Sequence, residues 1–456
     1  MTSVPVWVWL PGADEPTLAA HLARSSGPGR WAYTSDYLAL AEKVAVDPIS
    51  LRLVRRARGV VIPFSDGLPG VARDACPAGF GADRMTARSV KSLSPVELLE
   101  IGPPDSVGAL EVCVDIDKKL SWRPRAFADL VSIIKELRED EPSSRSIGAL
   151  NANVSTSLGG ERPKITVVHK DKLWLAKMQD RADLPAMPAR EFVTMTLARE
   201  MGLNVPDLDL KTIGQHQVFM IARFDRGGVP ERSQRGLFAS AHTVFDLEPS
   251  AVLGDPRRSY LNLADRMRIW CANGPGLESD LQELWKRMAF NALVGNVDDH
   301  PRNHGLLHDG HQWRLSPLFD VTPVMSRPPD EKRRRKLGGQ VGLSMSTGID
   351  NSTGVDASRL FDCCSQFGVP IDAAAQWLSL AAAHVAKSWE AMLRKTAGPV
   401  HSQVSQLDSL VEECRYSFGL SEEFATHPDL LARAYEWASN SPTGKRTTPA
   451  AGNRQR

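Results

Sequence analysis

The chain has 456 residues, 42% apolar and 24% charged, enough for two or three domains with cores of their own. A formal net charge of +1 excludes an overall field that would make nucleic acid or a membrane surface the main partner. The six cysteines form no CxxC pair, there is no long apolar run, and MTSVPVWVWLPGADEP lacks a basic leader, so a cytoplasmic location without disulfides or membrane is expected.

Residues 1–140 read as an N-terminal α+β subdomain. Short β-like runs (VPVWVWL, GVVIPF, ALEVCVDI) alternate with Gly- and Pro-rich turns, and the helical stretch ADLVSIIKELRED follows. A polar linker, EPSSRS, leads into a small lobe over 147–235. That lobe opens with the Gly-containing loop STSLGGERPK. Next come ITVV and LWLAKM, two apolar runs flanking HKDK and so a predicted hairpin. AREFVTMTLAREMGL has helical periodicity and stops at Gly202, and QVFMIARFDR reads as a further strand. Residues 236–440 are mainly helical in pattern, and 441–456 read as a disordered tail rich in Pro, Gly and Thr. No internal repeat is visible.

The densest polar cluster is FNALVGNVDDHPRNHGLL, residues 290–307. It follows DLQELWKRMAFNALVG, whose apolar residues recur at three and four, predicting an amphipathic helix that ends at Gly295. The cluster therefore sits in a loop anchored by a buried helix. His300, His304 and His308 stand four apart, but Pro301 and Gly305 break the helix that would make them a metal face. Asp298 and Asn303 keep the D-x-x-x-x-N interval of a protein-kinase catalytic loop. That chemistry needs a carboxylate near the acceptor hydroxyl, a neutral oxygen near Mg²⁺, and a second carboxylate after a hairpin. HQWRLSPLFDVTP supplies the second carboxylate as Asp320.

Upstream residues fit the same chemistry. Gly159 and Gly160 let backbone amides approach phosphates, and Lys164 closes that loop. Lys177 shares the strand face of Leu173 and Leu175, so it needs an anionic partner, either phosphate or a carboxylate such as Glu191. Each feature has an ordinary alternative, a plain turn or a solvated lysine. Their order along the chain is what makes coincidence a poor explanation. The basic run KRRRK at 332–336 reads as a solvated loop, with contact to DNA or an acidic substrate as its rival.

In SLGGERPK, LWLAKM, ARFDR, NVDDHPRNHGLL and LSPLFDVTP the chain resembles the HipA-type serine/threonine kinases, toxins of bacterial toxin–antitoxin systems. The resemblance implies an α+β, protein-kinase-like two-lobe fold with an extra N-terminal α+β subdomain and an all-helical C-terminal lobe. It implies ATP and Mg²⁺ as cofactors, with Asp298 the catalytic base and Asn303 and Asp320 on the metal. The segment Gly159, Gly160, Glu161, Arg162, Pro163 and Lys164 would be the phosphate loop, with Lys177 on the α- and β-phosphates. Ala222, Arg223 and Phe224 would be the hinge beside adenine; His300, Pro301, Arg302 and Phe319 would also lie at the nucleotide. Ser157, or else Ser155, would be autophosphorylated and so switch the kinase off. The implied partners are a small DNA-binding helix-turn-helix antitoxin, DNA only through it, and a protein substrate such as an aminoacyl-tRNA synthetase. The rival readings are a small-molecule phosphotransferase of the same fold and an inactive regulatory partner of the antitoxin.

Overall fold

A computed structural model describes residues 3–23, 28–54, 59–87, 89, 92–139, 156–160, 162–180, 183–251, 253–325 and 341–440. Ser155, Glu161, the basic run 332–336 and the segment 441–456 lie outside the described residues.

The N-terminal subdomain is built on an antiparallel sheet of β1 (Ser3–Trp9), β2 (Pro16–Ala23), β3 (Arg30–Tyr33), β4 (Val60–Val61) and β5 (Leu110–Val112), ordered β4-β3-β2-β1-β5. Strand alternation turns Val4, Val6 and Val8 of β1 inward. They join one apolar core with Trp31, Tyr37 and, from the far lobe, Leu284 and Trp285. The subdomain is therefore fused to the helical lobe by shared core, rather than tethered.

The small lobe holds β6 (Arg125–Ala126), β7 (Lys164–His169), β8 (Lys172–Met178), β9 (Leu208–Ile213) and β10 (His216–Ala222), ordered β6-β7-β8-β10-β9. The HKDK turn is the two-residue connection of the β7–β8 hairpin. Lys170 and Asp171 both take positive φ, 49° and 55°, matching the twist of the paired strands. β6 pairs parallel with β7, and the helix Leu130–Glu139 packs Leu130 and Ile133 against Ile165 and Val167. The chain from Arg125 onward thus packs with the small lobe, although its sequence reads as the end of the N-terminal subdomain.

Between this sheet and the helical lobe runs the helix Met187–Glu200. It is buried on nearly all sides because the long helix Ile371–Ala397 packs on it opposite β9 and β10. Its polar residues Arg190, Glu191 and Thr194 are buried too, so each needs a partner.

In the C-terminal lobe the predicted amphipathic helix spans Pro275–Leu293, and Gly295 follows at φ +60° as its stop. The lobe is mainly helical, yet the expectation of an all-helical lobe is corrected by small sheets. After the hairpin β11 (Arg226–Val229) and β12 (Arg232–Arg235) at the junction, β13 (Phe238–Ser240), β14 (Gly305–His308) and β15 (Trp313–Leu315) form a three-stranded sheet. β16 (Val341–Gly342) and β17 (Gly354–Val355) form a further pair. Strands of two to four residues carry no periodicity to read, and β14 finds β13 only because the fold returns the chain to it. Among the described residues no helix is long and apolar enough to cross a membrane.

Candidate functional site

A cleft of about 440 Å³ opens between the lobes, and the N-terminal subdomain supplies its third wall through Arg73, Asp74, Cys76, Ala78 and Gly79. Gly159, Gly160, Lys164 and Lys177 line it from the small lobe. Ala222, Arg223 and Phe224 line it from the strand exit, and His300, Arg302, Asn303, Phe319 and Asp320 from the helical lobe. Five described sequence-nominated residues, Ser157, Arg162, Pro163, Asp298 and Pro301, are not among these walls. Pro301 is buried in the turn Pro301–Asn303, Pro163 accepts Met178 N through its carbonyl (3.0 Å), and Arg162 pairs with Asp183 (2.6 Å).

The inner end of the cleft is a three-residue charge cluster. Lys177 Nζ donates to Glu191 Oε1 at 2.6 Å and to Asp320 Oδ1 at 2.8 Å. Burial works against every charge here. For Asp320 the Lys177 and Lys164 ammonium groups outweigh burial and hold the carboxyl well below the usual carboxylate range. For Lys177 the two carboxylates outweigh burial and keep the ammonium charged. Glu191 is pushed up by burial, with Lys177 opposing. Lys164 is buried beside this cluster: burial first, then the nearby Lys177, lower it to about 8, and its Nζ donates to Gly159 O at 2.6 Å.

Asp320 sits at φ +61°, a left-handed conformation that a non-glycine residue keeps only when its surroundings hold it. The helix Met187–Glu200 does so from both sides. Thr194 Oγ1 donates to Val321 O (2.5 Å), while Arg190 reaches Pro323 O (3.5 Å) and Glu413 Oε1 (2.9 Å). Glu191 is therefore fixed toward Lys177 by the same helix that fixes the Asp320 segment. Next to it Phe224, Phe238 and Phe319 form an aromatic group, with Phe224 and Phe319 centroids 5.5 Å apart.

The outer end is the loop 296–304. Asp298 is exposed, whereas Asp299 is fully buried. Asn303 Nδ2 donates to Asp298 O at 2.9 Å, and Asn303 N donates to His300 O at 2.8 Å, closing the loop into one tight turn. Asp299 anchors it from behind: Oδ2 accepts Tyr260 OH (2.7 Å) and Oδ1 accepts Ser344 N (2.5 Å). Asn291 and His304 complete that network through the same tyrosine hydroxyl. Burial pushes Asp299 up to about 7 and His304 down to about 3. The three histidines do not converge: His304 faces Tyr260, His300 lines the cleft, and His308 accepts Gly310 N (3.2 Å).

Sequence reasoning missed the third wall. Asp74 ends the helix Gly70–Asp74 and accepts from Ser240 N, Ser240 Oγ and Thr243 Oγ1 at 2.6–2.7 Å, tying that helix to the helical lobe. The only sequence signal was the S-A-H-T cap pattern at Ser240, which says nothing of a partner over 160 residues away.

A small lobe with a buried lysine–glutamate pair, a helical lobe and a cleft between them make a two-lobed fold of the protein-kinase type. The family model described as the HipA-like C-terminal domain matches residues 156–404, more than half of the chain, and the chain belongs to that family. The Sinorhizobium fredii protein called "Putative kinase Y4mE" is 24% identical over 326 residues, 65% of this chain and 73% of that protein. The serine/threonine-protein kinase toxin HipA of Shewanella oneidensis is 26% identical over 147 residues, 29% of this chain and 33% of that protein. Among solved structures, a chain of the Shewanella oneidensis HipA, HipB and operator DNA complex superposes with a TM-score of 0.66. That match covers 95% of this chain and 99% of the other at 16% identity, which shows a shared fold.

Proposed function

We propose that the protein is an ATP- and Mg²⁺-dependent serine/threonine protein kinase that acts as a growth-arresting toxin. The observation that carries this reading is Lys177, held between Glu191 and Asp320 beneath Gly159 and Gly160. A cation so placed meets the α- and β-phosphates of a nucleotide whose adenine lies along Ala222 to Phe224. The loop Gly159 to Lys164 covers the phosphates, and His300 and Arg302 face them from the other lobe. Asn303 and Asp320 offer an amide oxygen and a carboxylate, hard donors suited to Mg²⁺, and Asn303 spends its Nδ2 on Asp298 O, leaving its oxygen end for a cation. Mg²⁺, when bound there, neutralises charge on the phosphates.

Asp298 takes the proton of the acceptor hydroxyl as its oxygen bonds the γ-phosphorus and the bond to the β-phosphate oxygen breaks. Its exposure favours a protein acceptor over an enclosed small molecule. The names of the relatives support kinase activity, and the likeness to a chain of a HipA–HipB–operator complex supports a small DNA-binding antitoxin as partner. An aminoacyl-tRNA synthetase as substrate rests on the family resemblance alone.

Ser157 is the proposed site of inactivating autophosphorylation. Its Oγ is buried and donates to Pro103 O at 2.5 Å, so the loop must release before that hydroxyl can react. Incubation with labelled Mg·ATP and cell extract tests the whole reading. Label on a protein band, lost in Asp298→Asn, is expected; label confined to small molecules would favour the small-molecule phosphotransferase instead. Peptide mass spectrometry on the same protein reads Ser157 and Ser155.

A further inference from the structure

The phosphate-loop segment does not stand free above the cleft. Its entry, Thr156 and Ser157, is buried against the N-terminal subdomain, and one side chain makes most of that attachment. Asp105 Oδ1 accepts Ser157 N at 2.7 Å, and Oδ2 accepts Thr156 Oγ1 at 2.8 Å and Thr166 Oγ1 of β7 at 3.2 Å. The carbonyl of the same residue accepts Arg223 Nη1 at 2.7 Å. Asp105 therefore joins the loop, the first long strand of the small lobe and the strand exit at Arg223.

Neighbouring contacts serve the same docking. Pro103 O accepts Ser157 Oγ, and Phe80 N donates to Gly160 O at 3.1 Å. Gly81 and Gly102 let the backbones approach so closely that a Cβ on either would collide with Thr156 O or Ser157 Oγ. A surface this closely fitted to two loop residues is shaped to hold them.

We propose that Asp105, outside the kinase lobes proper, is the positioning residue that docks the phosphate loop for nucleotide. The inference rests on the reading of Gly159 to Lys164 as a phosphate loop. A buried carboxylate accepting three hydrogen bonds fixes the backbone just ahead of Gly159 and Gly160, so their amides meet the phosphates already ordered.

The test uses the full chain and three variants, Asp105→Ala, Asp105→Asn and Thr156→Val. Loss of the three side-chain hydrogen bonds that Asp105 accepts predicts a Kd for Mg·ATP weaker by roughly ten- to a hundredfold in Asp105→Ala. KM for ATP should rise in parallel while kcat at saturating ATP stays within about twofold, because no reacting atom is touched. Asp105→Asn should recover part of the affinity, and amide exchange at Ser157 should quicken in the order wild type, Asn, Ala. A residue that only stabilises the fold would lower the melting temperature without splitting KM from kcat. If Asp105→Ala does not fold, Asp105→Asn and Thr156→Val carry the test through the same exchange and affinity measurements. Wild-type affinity and exchange in the folded variants would overturn the proposal. Absence of nucleotide binding by the wild-type chain would instead overturn the reading of the loop on which it rests.

Discussion

The two ends of the cleft are built on opposite principles. At the inner end Lys177, Glu191 and Asp320 are withdrawn from water and paired, because an unpartnered charge there would cost several kcal/mol. At the outer end Asp298 stands exposed on a loop whose backbone is held from behind by its buried neighbour Asp299. The difference teaches that geometry can be fixed in two ways, by pairing the functional group itself or by anchoring the residue next to it. The first would suit the proposed nucleotide, whose shape is constant. The second would suit the proposed protein acceptor, because it keeps Asp298 at the surface.

The largest effect expected from breaking this division is at the outer end. Asp298→Asn should lower phosphoryl transfer by ~10²–10⁴-fold, the weight of a general base, with Mg·ATP affinity nearly unchanged. A radiolabel assay beside calorimetric titration separates the two, and wild-type turnover would remove Asp298 from the chemistry. At the inner end Lys177→Met removes the ammonium hydrogen-bonded to both Glu191 and Asp320. Unfolding in urea should show a loss of about 3–5 kcal/mol, and an unshifted midpoint would mean that the pair is not load-sharing in solution.

Asp320→Ala keeps the Lys177–Glu191 pair and should instead weaken Mg²⁺-dependent nucleotide binding about tenfold or more. The readout is the thermal shift with Mg·ATP; a shift equal to wild type counts against metal binding at this residue. Asp299→Asn sharpens the contrast between neighbouring aspartates through pH. Burial raises the Asp299 carboxyl from 3.8 to about 7, so the folded chain binds that proton more tightly than the unfolded one. Its contribution is fullest below about pH 4 and is lost as pH rises toward 7, and the asparagine variant should flatten that slope in denaturant midpoints. His300→Ala should have the smallest effect, a few-fold in turnover, because an imidazole there only hydrogen-bonds or orients. A loss as large as that of Asp298→Asn in the same assay would give His300 a role in proton transfer.

Much of this architecture was legible in advance because it is local. The HKDK hairpin, the helix ending at Gly202 and the helix before Gly295 follow from periodicity and turn chemistry within a dozen residues. Lys177 was readable as an inward lysine from strand alternation, and Glu191 as its partner from the next helix. The short strands β13 to β15 were not, since three or four residues hold no period.

By itself, the sequence nominated the side chains for the proposed phosphoryl chemistry and their order: Gly159 to Lys164, Lys177, Glu191, Asp298, Asn303, Asp320. Only the tertiary structure decided what holds them. Asp105 reaches Ser157 across 52 residues, Tyr260 reaches Asp299 across 39, and Arg190 reaches Glu413 across 223. Such contacts depend on how three packed bodies share a core, and pairing between distant elements leaves no mark in local composition or spacing. The chemistry is carried by residue type, whereas its supports are carried by packing.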